Sequence, residues 1–214
     1  MIKQISSVSV LFAAIASPAL AHHPLGGEAP TTIVDGVLSG IGHPIIGFDH
    51  LAFIIGIGLL AAFQKSRLVL PAGFVAGTVL GTLAILAGIT LPMVEPMVVL
   101  SVLLVGVLAM RGRNVPAATA GVVAAGAGMF HGWAYGEAVI GAEPTPIVAY
   151  IAGFGVTQMA IAVGAMFAAT WVMTAKSENA TNASLAPRFA GAMVAGVGLT
   201  YLVEIAEAAI FPAM

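Results

Sequence analysis

After residue 40 the chain alternates six long apolar stretches with short polar breaks. The stretches run at about 41–63, 68–90, 94–110, 116–139, 147–174 and 189–210, most of them close to the ~20 residues that a membrane-crossing helix needs. The breaks read QKSR, LPMVEP, RGRN, GAEPTP and the longer, Ser- and Asn-rich AKSENATNASLAPR. The first residues follow another pattern. Residues 1–21, MIKQISSVSVLFAAIASPALA, join Lys3, a short apolar core from Val8 to Ile15 and the small-residue motif Ala19-Leu20-Ala21, the plan of a cleaved signal peptide. That core is too short to span a bilayer, and Pro18 sits where helix-breakers precede cleavage sites. The pattern therefore predicts an all-α polytopic membrane protein in three parts. Residues 1–21 are a signal peptide, 22–40 a periplasmic N-terminal segment, and 41–214 a six-helix transmembrane domain. The mature chain begins His22-His23-Pro24.

Composition narrows the function classes. Of 214 residues 60% are hydrophobic and 7% charged, with mean hydropathy +1.07. Soluble domains carry roughly 25% charged residues, so no water-exposed surface can be built from this chain, and disorder demands the opposite composition. Seven scattered cations cannot neutralise a nucleic-acid backbone, and no G-x-x-x-x-G-K-[ST] loop is present to hold a nucleotide. The absence of cysteine removes disulfides, thiolate metal sites and cysteine nucleophiles together.

The cations also give an orientation. Lys65 and Arg67 follow the first stretch, Arg111 and Arg113 the third, and Lys176 and Arg188 flank the break between the fifth and sixth. With a periplasmic N-terminus these three connections are cytoplasmic, and the other connections and both mature termini hold no Lys or Arg. That is the positive-inside distribution, in a bacterial inner membrane with both mature termini periplasmic. Glycines at Gly73, Gly77 and Gly81, and at Gly121, Gly126 and Gly128, read as close helix packing rather than as a pore lining.

Ionisable groups inside apolar spans are costly and so mark function. The first span carries His43, Asp49 and His50, the fourth His131 and Glu137, the sixth Glu204 and Glu207, and Glu95 opens the third. At 1.5 Å per residue, Asp49 and His50 lie roughly 9–13 Å, His131 roughly 12 Å and Glu204 roughly 9 Å below the outer ends of their helices. These spans thus bring their polar groups to one outer half-depth. On a straight helix Asp49 points ~120° away from the face shared by His43 and His50. Pro44 and Gly47 supply the distortion that brings the carboxylate round. Imidazoles and carboxylates without thiols suit Ni²⁺, Co²⁺ or Zn²⁺ better than Cu⁺. Acidic outer segments (Glu28, Asp35, Glu95, Glu143) concentrate cations, and His22 and His23 at the freed N-terminus are candidate capture ligands. Met129, beside His131, is the methionine to watch, and Gln158 reads as an interhelical hydrogen-bonding group.

HPIIGFDH, at His43–His50, together with the later FHGWA segment and the VEP opening of the third span, resembles the HupE/UreJ family of bacterial membrane proteins. The resemblance implies a nickel or cobalt permease with six mature spans behind a signal peptide, and implies metal handling by His43, Asp49, His50, His131 and Glu95. One segment departs from the family pattern F-H-G-x-A-H-G-x-E. Tyr135 stands in place of the second histidine, and the acid comes one place early as Glu137, with Ala138 at the usual position.

His43/Asp49 and His131/Glu137 repeat one spacing, His followed six residues later by an acid, in the first and fourth spans. Two three-span halves related this way are inverted, as in many secondary transporters. The function expected is uptake of a divalent transition-metal ion from the periplasm, nickel or cobalt first, with zinc and copper behind them. The metal is cargo, and no prosthetic group is expected. The alternatives are a zinc-dependent membrane hydrolase and a metal sensor or accessory subunit without flux. The partners are the lipid bilayer and the ion, with a homo-oligomer or a nickel-enzyme maturation system beyond them.

Overall fold

The computed structural model describes residues 28–174 and 185–211. The described residues form seven helices and no strand: α1 (Ile33–Ile46), α2 (Phe48–Ala62), α3 (Val69–Leu86), α4 (Val94–Arg111), α5 (Ala117–Glu137), α6 (Pro144–Thr174) and α7 (Leu185–Ile210). The expected signal peptide, His22 and His23 lie outside the described residues, as does the connection between α6 and α7, residues 175–184.

The expected first span, continuous over 41–63, is instead a broken pair. α1 begins at Ile33, where Thr32 and Asp35 close a capping box: Thr32 Oγ1 accepts from Asp35 N and Asp35 Oδ2 from Thr32 N. It ends at Ile46, and α2 leaves at 78° to it. Pro44 withholds one helical N–H, and Gly47 (φ −69°, ψ 99°) adopts an extended conformation that ends the helix. The other helices start and stop within a few residues of the expected bounds, because Pro, Gly and charged residues punctuate their ends. Four helices, α3, α4, α6 and α7, are long and apolar enough to cross a membrane, and the bent α1–α2 pair is a fifth candidate. α5 has 21 residues, but its Gly- and Ala-rich run with His131 and Trp133 falls short of the same apolarity.

Small residues set the packing. Gly73, Gly77 and Gly81 of α3 meet the carbonyls of Gly121, Ala125 and Met129 of α5, residue for residue in parallel. Gly128 and Gly132 return the contact against Phe74 and Thr78. In the same way Gly36 and Gly40 of α1 meet the carbonyls of Pro146 and Tyr150 of α6, and Gly58 of α2 meets that of Ala162. α4 and α7 run antiparallel, with Gly106 on Ala195, Gly198 on Leu103 and Gly191 on Met110. In lipid no hydrophobic force joins helices, so backbone approach over such stripes supplies the adhesion. Gly126 is the exception among the expected packing glycines, since a Cβ there would meet nothing.

The outer surface is correspondingly apolar. α7 buries Pro187, Gly191, Val194 and Gly198 and turns Phe189, Met193, Leu199 and Val203 outward. The cation-bearing connections gather at one end. Gln64 Nε2 donates to Arg113 O, Lys65 N to Asn114 Oδ1, Arg67 Nη1 to Thr170 Oγ1 and Arg188 Nε to Met110 O. Asp35 and Glu95, in the first turns of α1 and α4, and Glu137 and Glu207, near the C-termini of α5 and α7, belong to the opposite end.

Candidate metal-handling site

The break after α1 delivers two histidines to the interior. His43 sits in the last turn of α1 and His50 in the first turn of α2, both buried, with ring centroids 5.8 Å apart. α5 adds His131, fully buried, whose Nδ1 lies 2.7 Å from His50 Nδ1. Gly47 makes room for this arrangement: a Cβ there would lie 2.6 Å from His50 Cδ2. Gly47→Ala is therefore expected to displace the His50 ring at a cost of about 1–3 kcal/mol. Metal affinity measured by calorimetry should fall roughly tenfold or more, and unchanged affinity would remove His50 from the site.

Hydrogen-bond arithmetic assigns the ring protons of the neutral imidazoles. Tyr150 Oη donates to Tyr135 O at 2.8 Å, because a carbonyl only accepts. His43 Nδ1, 2.7 Å from Tyr150 Oη, must then donate to that hydroxyl. Ser101 Oγ donates to Val98 O at 2.6 Å, so His131 Nε2 donates to Ser101 Oγ at 2.9 Å. His131 Nδ1 then accepts from His50 Nδ1. Partners behind a ring fix which nitrogen a metal meets. Here Nδ1 of His43, Nδ1 of His50 and both nitrogens of His131 have partners that fix the three ring orientations.

Aromatic rings wall the cluster. Tyr135 lies against both His43 and His50, at centroid distances of 4.7 and 4.5 Å. Phe53 and Phe74 cover His131 at 4.4 and 5.5 Å. The Tyr135 hydroxyl faces Gln158, and Tyr135 Oη and Gln158 Nε2 are the two buried side-chain polar atoms left without a partner among the described residues. Thr78 Oγ1 has one proton but two acceptors, Val75 O at 2.8 Å and Gln158 Oε1 at 2.9 Å. Turning the Gln158 amide over resolves all three conflicts. Its NH₂ then donates to Thr78, Thr78 donates to Val75 O, and the amide oxygen receives the Tyr135 proton. Gln158 thus plays the interhelical role its position suggests.

The carboxylates are arranged differently from the imidazoles. Asp49 is half-buried at the α2 N-terminus, where its Oδ1 accepts from His50 N at 2.8 Å, a position that the helix dipole favours. It lies near enough to His131, Tyr135 and Tyr201 to act on all three electrostatically, and Glu204 acts on Tyr201 as well. Glu95, Glu137, Glu204 and Glu207 are exposed. Among the described residues no three His, Asp or Glu side chains converge in a ready-made metal cage. Met129 is partly exposed, on the surface rather than in the cluster. Tyr150, Ser101 and Thr78 were not singled out by sequence, although each is a hydroxyl in an apolar run and so carries the signal that picked out the histidines.

The chain matches the family model described as HupE / UreJ protein over residues 10–201. It is 33% identical over 153 residues to Protein HupE of Rhizobium leguminosarum bv. viciae, covering 70% of this chain and 75% of that protein. No solved structure matches it. With HPIIGFDH folded into the broken first span and its two histidines joined by His131, the chain belongs to the HupE/UreJ family.

Proposed function

We propose that this protein is a secondary transporter that takes up a divalent transition-metal ion, nickel or cobalt, from the periplasm across the bacterial inner membrane. The observation that carries this reading is the trio of buried imidazoles gathered at a helix break, their rings oriented by hydrogen bonds to one another and to Tyr150 and Ser101. Broken helices with polar groups at mid-depth are how transporters build ion sites inside lipid. Membership of a family associated with nickel and cobalt supports the same cargo, and the imidazole–carboxylate chemistry suits those ions.

Direction follows from charge. The cations braced at one end fit a cytoplasmic face, and the acidic opposite end draws metal ions toward Asp49 and the histidines. An inside-negative potential favours entry by about 2.3 kcal/mol per charge per 100 mV. The helix pairings support two inverted halves. Taking α1–α2, α3 and α4 as one half and α5, α6 and α7 as the other, the pairing of α1–α2 with α6 corresponds to that of α5 with α3. The α4/α7 pairing then maps onto itself. Six spans result when α5 crosses beside α3, its parallel partner.

Tyr135 sets the selectivity test. Its ring fills the space between His43 and His50, where family members carry a second histidine. Tyr135→His should shift competitive uptake toward Ni²⁺ over Co²⁺, while Tyr135→Phe, which removes only the phenol, should keep the original preference. The check is dual-isotope uptake into proteoliposomes. An unchanged ratio in Tyr135→His would make residue 135 a packing position.

A further inference from the structure

The imidazoles are buried, and among the described residues no polar ladder leads from them toward the cation-bearing end. What lies there instead is a cavity of about 250 Å³ between α2, α3, α4 and α5. Its walls are almost wholly apolar, among them Phe53, Val105, Leu108, Ala120 and Ala124. Ser101 stands where the cavity meets the imidazoles, since its Oγ is the partner of His131 Nε2. A second cavity, about 150 Å³, opens among Gln64, Lys65, Ser66 and Asn114 and shares Val115 and Ala120 with the first. The two share that wall, and together they reach from Ser101, the partner of His131, to the cation-bearing connections.

The second cavity is braced. Gln64 donates to Leu60 O and Arg113 O and accepts from Val115 N, and Lys65 N donates to Asn114 Oδ1, so the two connections are tied around it. The apolar cavity between this mouth and the imidazoles is a barrier in the present conformation. A divalent ion without its water or ligands would lose its solvation there. Hydrophobic constrictions of this kind gate by drying and conduct when they wet.

We propose that these two cavities form the inner half of the ion route. Ser101 is the hand-off group below His131, the apolar cavity is the closed gate, and Val115 and Ala120 form the neck before the polar mouth. The proposal rests on the transport reading above and adds the exit to it.

The natural absence of cysteine gives a clean background for the test. Ala124→Trp fills the apolar cavity from α5, two helical turns before His131. Ala124→Cys allows the same position to be blocked after folding, by a charged methanethiosulfonate reagent added from the cation-bearing side during turnover. Both are read as ⁶³Ni²⁺ uptake into proteoliposomes and as equilibrium Ni²⁺ binding to the purified protein. Uptake is expected to fall at least tenfold in Ala124→Trp and in modified Ala124→Cys, with unmodified Ala124→Cys active and Ni²⁺ binding retained within about twofold. Wild-type uptake in both blocked forms overturns the route. So does wild-type uptake in Ala124→Trp accompanied by loss of a copurifying lipid, which would assign the cavity to an acyl chain entering past the exposed Leu104 and Val123. Absence of uptake in the unsubstituted protein is a different result and overturns the transport reading itself.

Discussion

Replacing His50 with alanine is expected to lower metal uptake by at least roughly 100-fold, since loss of even an outer partner of a metal ligand costs about 10–100-fold. His50 is the hub of the cluster. It bonds His131 at 2.7 Å and packs against Tyr135 and His43. The fold should survive the change. The helices are held by glycine stripes, and the main local penalty is an orphaned His131 Nδ1, worth about 1–3 kcal/mol. Uptake into proteoliposomes, read beside thermal unfolding in detergent, separates the two effects. A stable variant that still transports would place the ion's path elsewhere.

The largest structural effect is expected at Gly132, one residue beyond His131. A Cβ there would collide with the backbone of Thr78 at the carbonyl oxygen, and neither backbone can yield as a flexible side chain would. Gly132→Leu must separate α3 from α5 over their closest approach. It also strains the bond from Thr82 Oγ1 to Gly132 O, 2.7 Å. The cost should exceed the roughly 1–3 kcal/mol of ordinary overpacking, seen as a large fall in unfolding temperature together with loss of uptake. Gly126→Leu, on the same helix but facing open space, is the matched control and should unfold like the parent. Equal stability of the two variants would contradict glycine-mediated packing of this pair.

These two positions also show where the sequence was informative. His43, Asp49 and His50 stood out because ionisable groups in apolar runs have few reasons to be there, and Pro44 and Gly47 announced a distortion. The size of that distortion was not legible. A bend of 78° depends on α1 packing against α6 through Gly36 and Gly40, contacts remote in sequence. The early start of α1 was signalled by T-x-x-D at Thr32–Asp35, a capping pattern that hydropathy alone passes over. His50 and His131 meet as their shared depth suggested, and the break brings His43 beside His50, whereas Glu95, Glu137 and Glu204 are exposed, because depth along a helix says nothing about the face a side chain occupies. The proton assignment was out of reach for the same reason. It rests on Tyr150, Ser101 and Val98, which only the packing of α6 and α4 brings beside the rings.

The most direct measurement is uptake of ⁶³Ni²⁺, with Co²⁺, Zn²⁺ and Cu²⁺ as competitors, into proteoliposomes holding an inside-negative potential, with His50→Ala in parallel. Transport through the imidazole cluster predicts saturable, potential-stimulated influx of nickel, suppressed by cobalt more than by copper and absent in the variant. Tight stoichiometric binding with no influx would contradict it, and would make the imidazole cluster a sensing or catalytic centre instead of a station on an ion path.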